Sequence, residues 1–162
     1  EASLEANEDK TKIVYCKDYR RKREYKNVQF EFLGFSFRPR GIKTSVKQEV
    51  PFLGFTAQIS QSSKLKVREQ IRSERIWITT QVAIEEIATK MNPKIRGWIN
   101  YYSCFNKRSL YNLMFYLDRR LVRWIMKKHK IGTHKAVKVL RRLKTDHLTL
   151  FYHWEFYNPG KR

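Results

Sequence analysis

The feature that most constrains this chain is a segment, residues 106–130, whose apolar and basic residues separate onto opposite sides of a predicted helix. The apolar residues recur at about 100° per residue and would form one stripe: Leu110, Leu113, Met114, Leu117, Leu121, Trp124 and Ile125. The opposite side is basic and carries Arg119, Arg120, Arg123, Lys127 and Lys130. A helix with such a stripe must bury it against other elements, so the pattern predicts a packed helical region.

Charge is the second constraint. The 162 residues include 35 Lys and Arg against 15 Asp and Glu, a net charge of +20. Residues 107–144 hold thirteen of the basic residues and one acid, Asp118. A solvated helix surface usually interleaves acids for i,i+4 pairing, and phosphate would relieve the repulsion that their absence creates. The charge therefore favours nucleic acid as the partner, although a merely solvated basic surface is the alternative.

The candidate RNA-binding residues are basic residues and one tyrosine spread over residues 94–142. They are Lys94, Arg96, Tyr101, Lys107, Arg108, Arg119, Arg120, Arg123, Lys127, Lys128, Lys130, Lys135, Lys138, Arg141 and Arg142. Tyr101, Tyr111 and Tyr116 fall off the main apolar faces and could stack on unpaired bases. Half-burial at a helix edge, with the hydroxyl in water, explains each tyrosine equally well.

The pattern before residue 106 predicts three short helices. The first begins at Ser62 or Ser63 and the second at Thr79 or Thr80, since both residue types cap helices. The third spans Asn92 to Phe105, with Asn92 as its N-cap and Pro93 at its first position.

The expected apolar residues of the first helix are Leu65, Val67, Ile71 and Ile76, and those of the third are Ile95, Trp98, Ile99, Tyr102 and Phe105. Lys94 and Arg96 would stand at the positive end of a helix dipole, so an acidic partner is expected; Glu85 or Glu86 could pair with Arg96. Further on, Gly132 is predicted to end the basic helix and Thr133 to cap the next. There Ala136, Val137, Leu140 and Leu143 are expected to face inward.

The N-terminal part favours β-structure. Residues 13–16 are a short β-prone run, and residues 28–37 alternate like a strand that bends at Gly34. Residues 38–41 have loop chemistry, and residues 50–59 form a second strand, so an antiparallel pair is predicted. The expected fold class is α+β, mainly α, divided into residues 1–59, 60–106 and 107–162.

Catalytic and metal-binding patterns are missing from the sequence. Cys16 and Cys104 lie far apart without CxxC spacing, and the four histidines lack metal-ligand spacing. No phosphate-binding glycine loop and no aspartate pair for two Mg²⁺ ions is present. No apolar run reaches the length of a membrane span. These patterns predict a non-enzymatic chain without a metal or cofactor, away from the membrane and in a reducing cytoplasm.

Several segments resemble one known family, the bacterial group II intron-encoded reverse transcriptases. Residues 8–18 and 30–40 look like the last palm motifs, and residues 92–102 are similar to the signature of the maturase-specific region. Leu121–Trp124 and Leu150–Trp154 match in order and rough spacing. The resemblance covers nearly the whole chain.

The resemblance implies a β-hairpin remnant of the polymerase palm, a thumb-like three-helix bundle at residues 60–106, and basic maturase and DNA-binding helices after it. The hairpin would correspond to the primer grip: Phe32, Leu33, Gly34 and Phe35. The catalytic aspartates of the family lie upstream of Lys10, so Mg²⁺ would serve only the intact polymerase. The start at Glu-Ala-Ser without Met suggests a fragment.

The implied function is that of an RNA-binding maturase portion, which assists the folding and splicing of group II intron RNA. In the intact protein it would also bind template–primer, target DNA or an RNA–DNA duplex. The alternative is a subunit of a split RNA-directed DNA polymerase, whose palm and fingers arrive on another chain; a homodimer is a further possibility. A general basic DNA-binding module is the third hypothesis.

Overall fold

Three antiparallel strands precede five α-helices in the computed structural model, which describes residues 11–43 and 50–157. The strands are β1 (Phe30–Phe32), β2 (Phe35–Ile42) and β3 (Phe52–Ile59), in the order β1-β2-β3. The helices are α1 (Gln61–Ser73), α2 (Ile84–Tyr102), α3 (Arg108–His129), α4 (Thr133–Asp146) and α5 (Tyr152–Tyr157). The α+β, mainly α class is confirmed. The chain divides into two compact units, Glu1–Ser60 and Gln61–Arg162.

The β1–β2 hairpin turns at Leu33 and Gly34, which have φ angles of 47° and 77°. Positive φ at both central residues is the type I′ geometry that suits a two-residue hairpin, and a leucine rarely adopts it. The bend predicted at Gly34 is therefore confirmed, and it divides residues 28–37, predicted as one strand, into β1 and the start of β2. The pairing of β2 with β3 confirms the predicted antiparallel pair.

Two expectations in this unit are wrong. Residues 13–16 form no strand. Residues 38–41, predicted as a loop, continue β2, and Pro39 lies opposite Phe55 of β3. Because β1 pairs only with Phe35–Phe37, Pro39 lies beyond its reach and its missing N–H leaves no gap in that ladder. A Cβ at Gly54 would overlap the end of the Ile42 side chain, which would have to move to make room for it.

The second and third predicted helices are one helix, α2, which continues through Pro93. Asn92 does not cap: its amide nitrogen donates to the Leu150 carbonyl at 2.9 Å, and its amide oxygen accepts from the Tyr152 N–H at 3.0 Å. The helix begins after Ala83 instead, where the Glu86 carboxylate accepts the Ala83 N–H at 2.9 Å. A contact 58 residues away thus overrides a local start signal.

Burial in α1 and α2 also differs from the predicted faces. Met91, Ile95 and Ile99 are fully buried, but Trp98 is only half-buried. Phe105, beyond the end of α2, is 58% exposed, and Leu65 of α1 is 55% exposed. Ile76, predicted as part of the first helix, is buried in a separate 3₁₀ turn, Arg75–Trp77.

All seven apolar residues predicted for the stripe of α3 are buried, with at most 2% of each exposed. The helix ends at His129 and its C-cap is Lys130, which adopts the left-handed conformation with φ 51°, rather than Gly132. Gly132 is instead the N-cap of α4, where Ala136 and Leu140 are buried but Val137 is 38% exposed. None of the described helices is long and apolar enough to cross a membrane.

Candidate nucleic-acid interface

Helices α3 and α4 pack against each other as a hairpin joined at both ends. Near the turn, the Thr133 hydroxyl donates to the Met126 sulfur at 3.6 Å. At the other end, the Lys144 ammonium donates to the Asp118 carboxylate at 2.5 Å. The buried stripe of α3 faces the core, so the basic residues of both helices remain on the outside.

Seven basic residues of this hairpin and its turn are exposed, and none has an ion-pair partner within residues 11–43 and 50–157. We call them the basic face: Arg119, Arg123, Lys127, Lys130, Lys135, Lys138 and Arg141. Arg142 differs, because it pairs with Asp146 at 3.4 Å. Lys107 and Arg108 are also exposed, just before and at the start of α3. The basic face therefore keeps its charge available to an external anion.

Arg120 and Lys128 are also basic residues of α3, but their environment differs from that of the basic face. Arg120 is half-buried, with its guanidinium carbon 5.8 Å from the centroid of the Trp77 ring. Lys128 donates to the Val82 carbonyl, and its ammonium lies 4.9 Å from the centroid of the Trp124 ring. Both cations contact other parts of the protein, and their RNA contacts stay predictions.

The predicted site residues of α2 also have partners within the protein. Lys94 pairs with Glu74, which also receives Lys90 at 3.8 Å. An acidic partner for Lys94 is thus confirmed, although Lys94 lies inside α2 rather than at a helix start. Arg96 forms no ion pair with Glu85 or Glu86; its guanidinium carbon lies 5.0 Å from the centroid of the Tyr152 ring.

The three tyrosines considered for base stacking differ in how far they contact the rest of the protein. Tyr101 is half-exposed and meets Tyr102 edge to face, with ring centroids 4.8 Å apart. Tyr111 packs edge to face against Tyr157 at 5.0 Å, and the Tyr157 hydroxyl donates to the Tyr111 carbonyl at 2.8 Å. Tyr116 is half-buried under Arg68. The helix-edge interpretation fits Tyr111 and Tyr116, which contact the protein itself.

A buried polar group lies under the basic face and was missed by the sequence analysis. Asp118 accepts hydrogen bonds from Lys144 at 2.5 Å, from the Trp154 indole N–H at 3.0 Å and from His153 Nε2 at 3.1 Å. We call these four residues the Asp118 cluster. The spacing contained the signal, because Asp118 follows Met114 by four residues and precedes Leu121 by three, which places it on the buried stripe.

The cluster shifts the pKa values of two of its members. Burial alone would raise the pKa of Asp118, but the hydrogen bonds and charges of His153 and Lys144 outweigh it and hold that pKa below the usual 3.8. Burial lowers the pKa of His153 below 6.5 despite its bond to Asp118. His153 Nδ1 is buried and has no hydrogen-bond partner among the described residues, so a proton there would have no acceptor among them. The cluster is thus a carboxylate held by a histidine, a lysine and an indole.

The primer-grip-like residues lie in the strand unit. Phe32 and Leu33 are exposed, Leu33 at 66%, while Phe35 is buried. The turn therefore displays Leu33 to solvent, and its role at a primer end stays a prediction. No group of three or more His, Cys, Asp or Glu side chains in the described parts of the chain could hold a metal ion.

The fold and its charges define a class: a mainly helical protein with a cationic α3–α4 surface that the described parts of the chain leave unpaired. The family model described as the group II intron, maturase-specific domain matches residues 61–143, just over half of the chain. The chain belongs to this family, which confirms the resemblance seen in residues 92–102 and Leu121–Trp124. No curated protein and no solved structure matches the chain significantly.

Proposed function

We propose that this chain binds group II intron RNA through the basic face and helps that RNA reach its splicing-competent fold. Membership of the maturase-specific family supports the choice of RNA. The observation that carries the proposal is the absence of ion-pair partners for the seven exposed cations of the basic face within the described residues. Exposed cations without ion-pair partners bind a polyanion favourably, because binding releases the counterions that surround the polyanion.

The proposed mechanism is structural rather than catalytic. Arg119, Arg123 and Lys127 stand one helical turn apart, and like charges at that spacing repel by a few tenths of a kcal/mol per pair. RNA phosphates between them would make these interactions favourable and would bring distant RNA segments together. The intron RNA would perform the splicing chemistry itself, in the cytoplasm, and the chain would need no cofactor of its own.

The test is the salt dependence of RNA affinity. The Arg123→Gln/Lys127→Gln variant should flatten the plot of log affinity against log salt by about 1.4–1.8, since each phosphate contact contributes about 0.7–0.9. Its thermal stability should change little, because both side chains are exposed.

The matched control is Arg72→Gln/Lys90→Gln, which removes the same charge from two exposed residues that pair with Glu69 and Glu74. It should keep the salt slope of the unaltered protein. Equal flattening in both variants would mean that net charge alone, and not the basic face, determines binding.

The β1–β2 hairpin favours a second function, that of a subunit of a split RNA-directed DNA polymerase. Its turn exposes 66% of the Leu33 side chain, where a primer end would have access to it. The missing palm and fingers would then be the partner, and template–primer or target DNA a further ligand. We expect no primer extension by the chain alone with Mg²⁺ or Mn²⁺. Deoxynucleotide incorporation by the pure chain would contradict both functions as stated.

A further inference from the structure

A groove of about 740 Å³ runs between α3 and α4. Its apolar lining comes from both helices: Phe115, Val122, Met126, Val137 and Leu140. Three residues of the basic face, Arg119, Arg123 and Arg141, also line it. The groove thus combines an apolar floor with guanidinium groups from both sides.

The floor is not an ordinary part of the core. Phe115 is 62% exposed and Val137 is 38% exposed, whereas Leu140 beside them is 5% exposed. Asp118 also lines the groove, but its carboxylate is held by Lys144, His153 and Trp154. The groove therefore presents an accessible aromatic ring and cations, and its one carboxylate is already neutralised.

We propose that this groove receives one unpaired base of a bound RNA, with Phe115 beneath the base and the three arginines on the flanking phosphates. This inference rests on the proposed RNA binding and names the RNA element that is recognised. Sequence-tolerant stacking on an aromatic side chain is how proteins commonly hold unpaired bases, and guanidinium groups both stack and bind phosphate. The volume falls within the range of about 300–1,000 Å³ typical of pockets for small organic groups.

Charge complementarity selects this occupant over others. A nucleotide has an apolar face beside an anion, which matches an apolar floor beside Arg119, Arg123 and Arg141. A regular duplex would present only phosphates and leave Phe115 in water, because its base faces are covered by stacking. A second copy of this chain would bring further positive charge to a rim that is already cationic.

The experiment compares a fully paired RNA hairpin with the same hairpin carrying a single extrahelical 2-aminopurine. The unaltered protein should bind the bulged hairpin about tenfold more tightly, the effect expected of one stacked base. The 2-aminopurine fluorescence should change on binding as the base enters the groove. A DNA hairpin with the same bulge tests the choice of RNA and should bind more weakly.

Three variants locate the effect. Phe115→Ala should abolish the preference for the bulge while keeping the affinity for the paired hairpin, and Phe115→Trp should retain the preference. Phe105→Ala is the matched control, because Phe105 is similarly exposed at 58% and does not line the groove. It should behave like the unaltered protein.

Each contrary outcome has a distinct meaning. Equal binding of bulged and paired RNA by the unaltered protein overturns the base pocket but leaves the proposed function intact. Failure to bind either RNA overturns the proposed function as well. Equal binding of bulged DNA overturns the choice of RNA. A protein dimer that Phe115→Ala dissociates would make a second copy the occupant and overturn the proposal.

Discussion

The Asp118 cluster and the basic face occupy the same two helices but use their charges in opposite ways. In the cluster, every charged group contacts another part of the protein within 3.1 Å. On the basic face, Lys138 of α4 is exposed and unpaired among the described residues, although it lies only six positions before Lys144 of the cluster. Charge type therefore does not determine role; the direction in which the helix points each side chain does.

This comparison makes a general prediction about variants. Residues that the fold uses should alter stability and leave RNA affinity nearly unchanged at temperatures where the protein is folded. Residues of the basic face should do the reverse. Variants of Asp118, Asn92, His153 and Arg96 test this division.

Asp118→Ala should cost about 3–5 kcal/mol of folding free energy, because it leaves Lys144 without its partner and removes the acceptor for two buried ring N–H groups. Denaturant unfolding monitored by tryptophan fluorescence measures the loss. Asp146→Ala, which removes an exposed acid from the end of α4, is the control and should cost less than about 1 kcal/mol. Similar losses in the two variants would contradict a central role for Asp118.

Asn92→Ala should cost about 1–3 kcal/mol, since it leaves the Leu150 carbonyl and the Tyr152 N–H without their partner. Asn100→Ala changes an exposed asparagine of the same helix and serves as the matched control. Hydrogen exchange at Tyr152 should become faster only in the Asn92 variant. Unaltered exchange there would mean that α5 is held without this asparagine.

Acid should destabilise the protein through His153. Because burial lowers its pKa below 6.5, the folded state binds fewer protons than the unfolded state, and stability is lost as the pH falls below that value. The loss should reach at most about 1.4 kcal/mol per pH unit. His153→Gln should remove this slope between pH 6.5 and 5, whereas His147→Gln, at an exposed position, should keep it. Urea titrations at each pH provide the measurement.

Arg96→Ala tests the smallest effect. The contact of Arg96 with the Tyr152 ring is exposed, so its loss should cost about 0.5–1 kcal/mol of stability. If Arg96 serves mainly to contact Tyr152, Arg96→Ala should lower RNA affinity less than Arg123→Ala does. Equal losses of affinity, measured by RNA titration, would place Arg96 on the nucleic-acid interface despite Tyr152 and so break the division.

The elements with strong local patterns were predictable from the sequence. The stripe of α3 was correct at all seven positions, because a long amphipathic helix can bury its apolar side in only one orientation. The start of α2 was wrong, because Asn-Pro is a common helix start and nothing local to it reveals the contact of Asn92 with residues 150–152. Contacts between residues far apart in the sequence decide which of two possible helix starts is used, and the local spacing of residue types does not reveal them.

The positive charge of the candidate site was predictable from the sequence. Which of its basic residues contact the protein and which stay exposed was not. Counting basic residues identified α3 and α4, but it could not show that Arg120 and Lys128, both candidate RNA-binding residues, also contact the protein. Asp118 could have been recognised, since an acid on the buried stripe needs partners. Its partners His153 and Trp154 could not, because α5 is one short turn with no periodic pattern of its own.

The order of the Asp118 cluster along the chain has a consequence for biosynthesis. Asp118 is made first, and its three partners follow 26, 35 and 36 residues later. A growing chain emerges from the ribosome with its N-terminal part first. Helix α3 therefore carries, on its apolar stripe, a carboxylate that lacks its full set of partners until Lys144, His153 and Trp154 have all left the exit tunnel. Stable packing of this helical unit is thus a late event in synthesis, delayed until α5 is available.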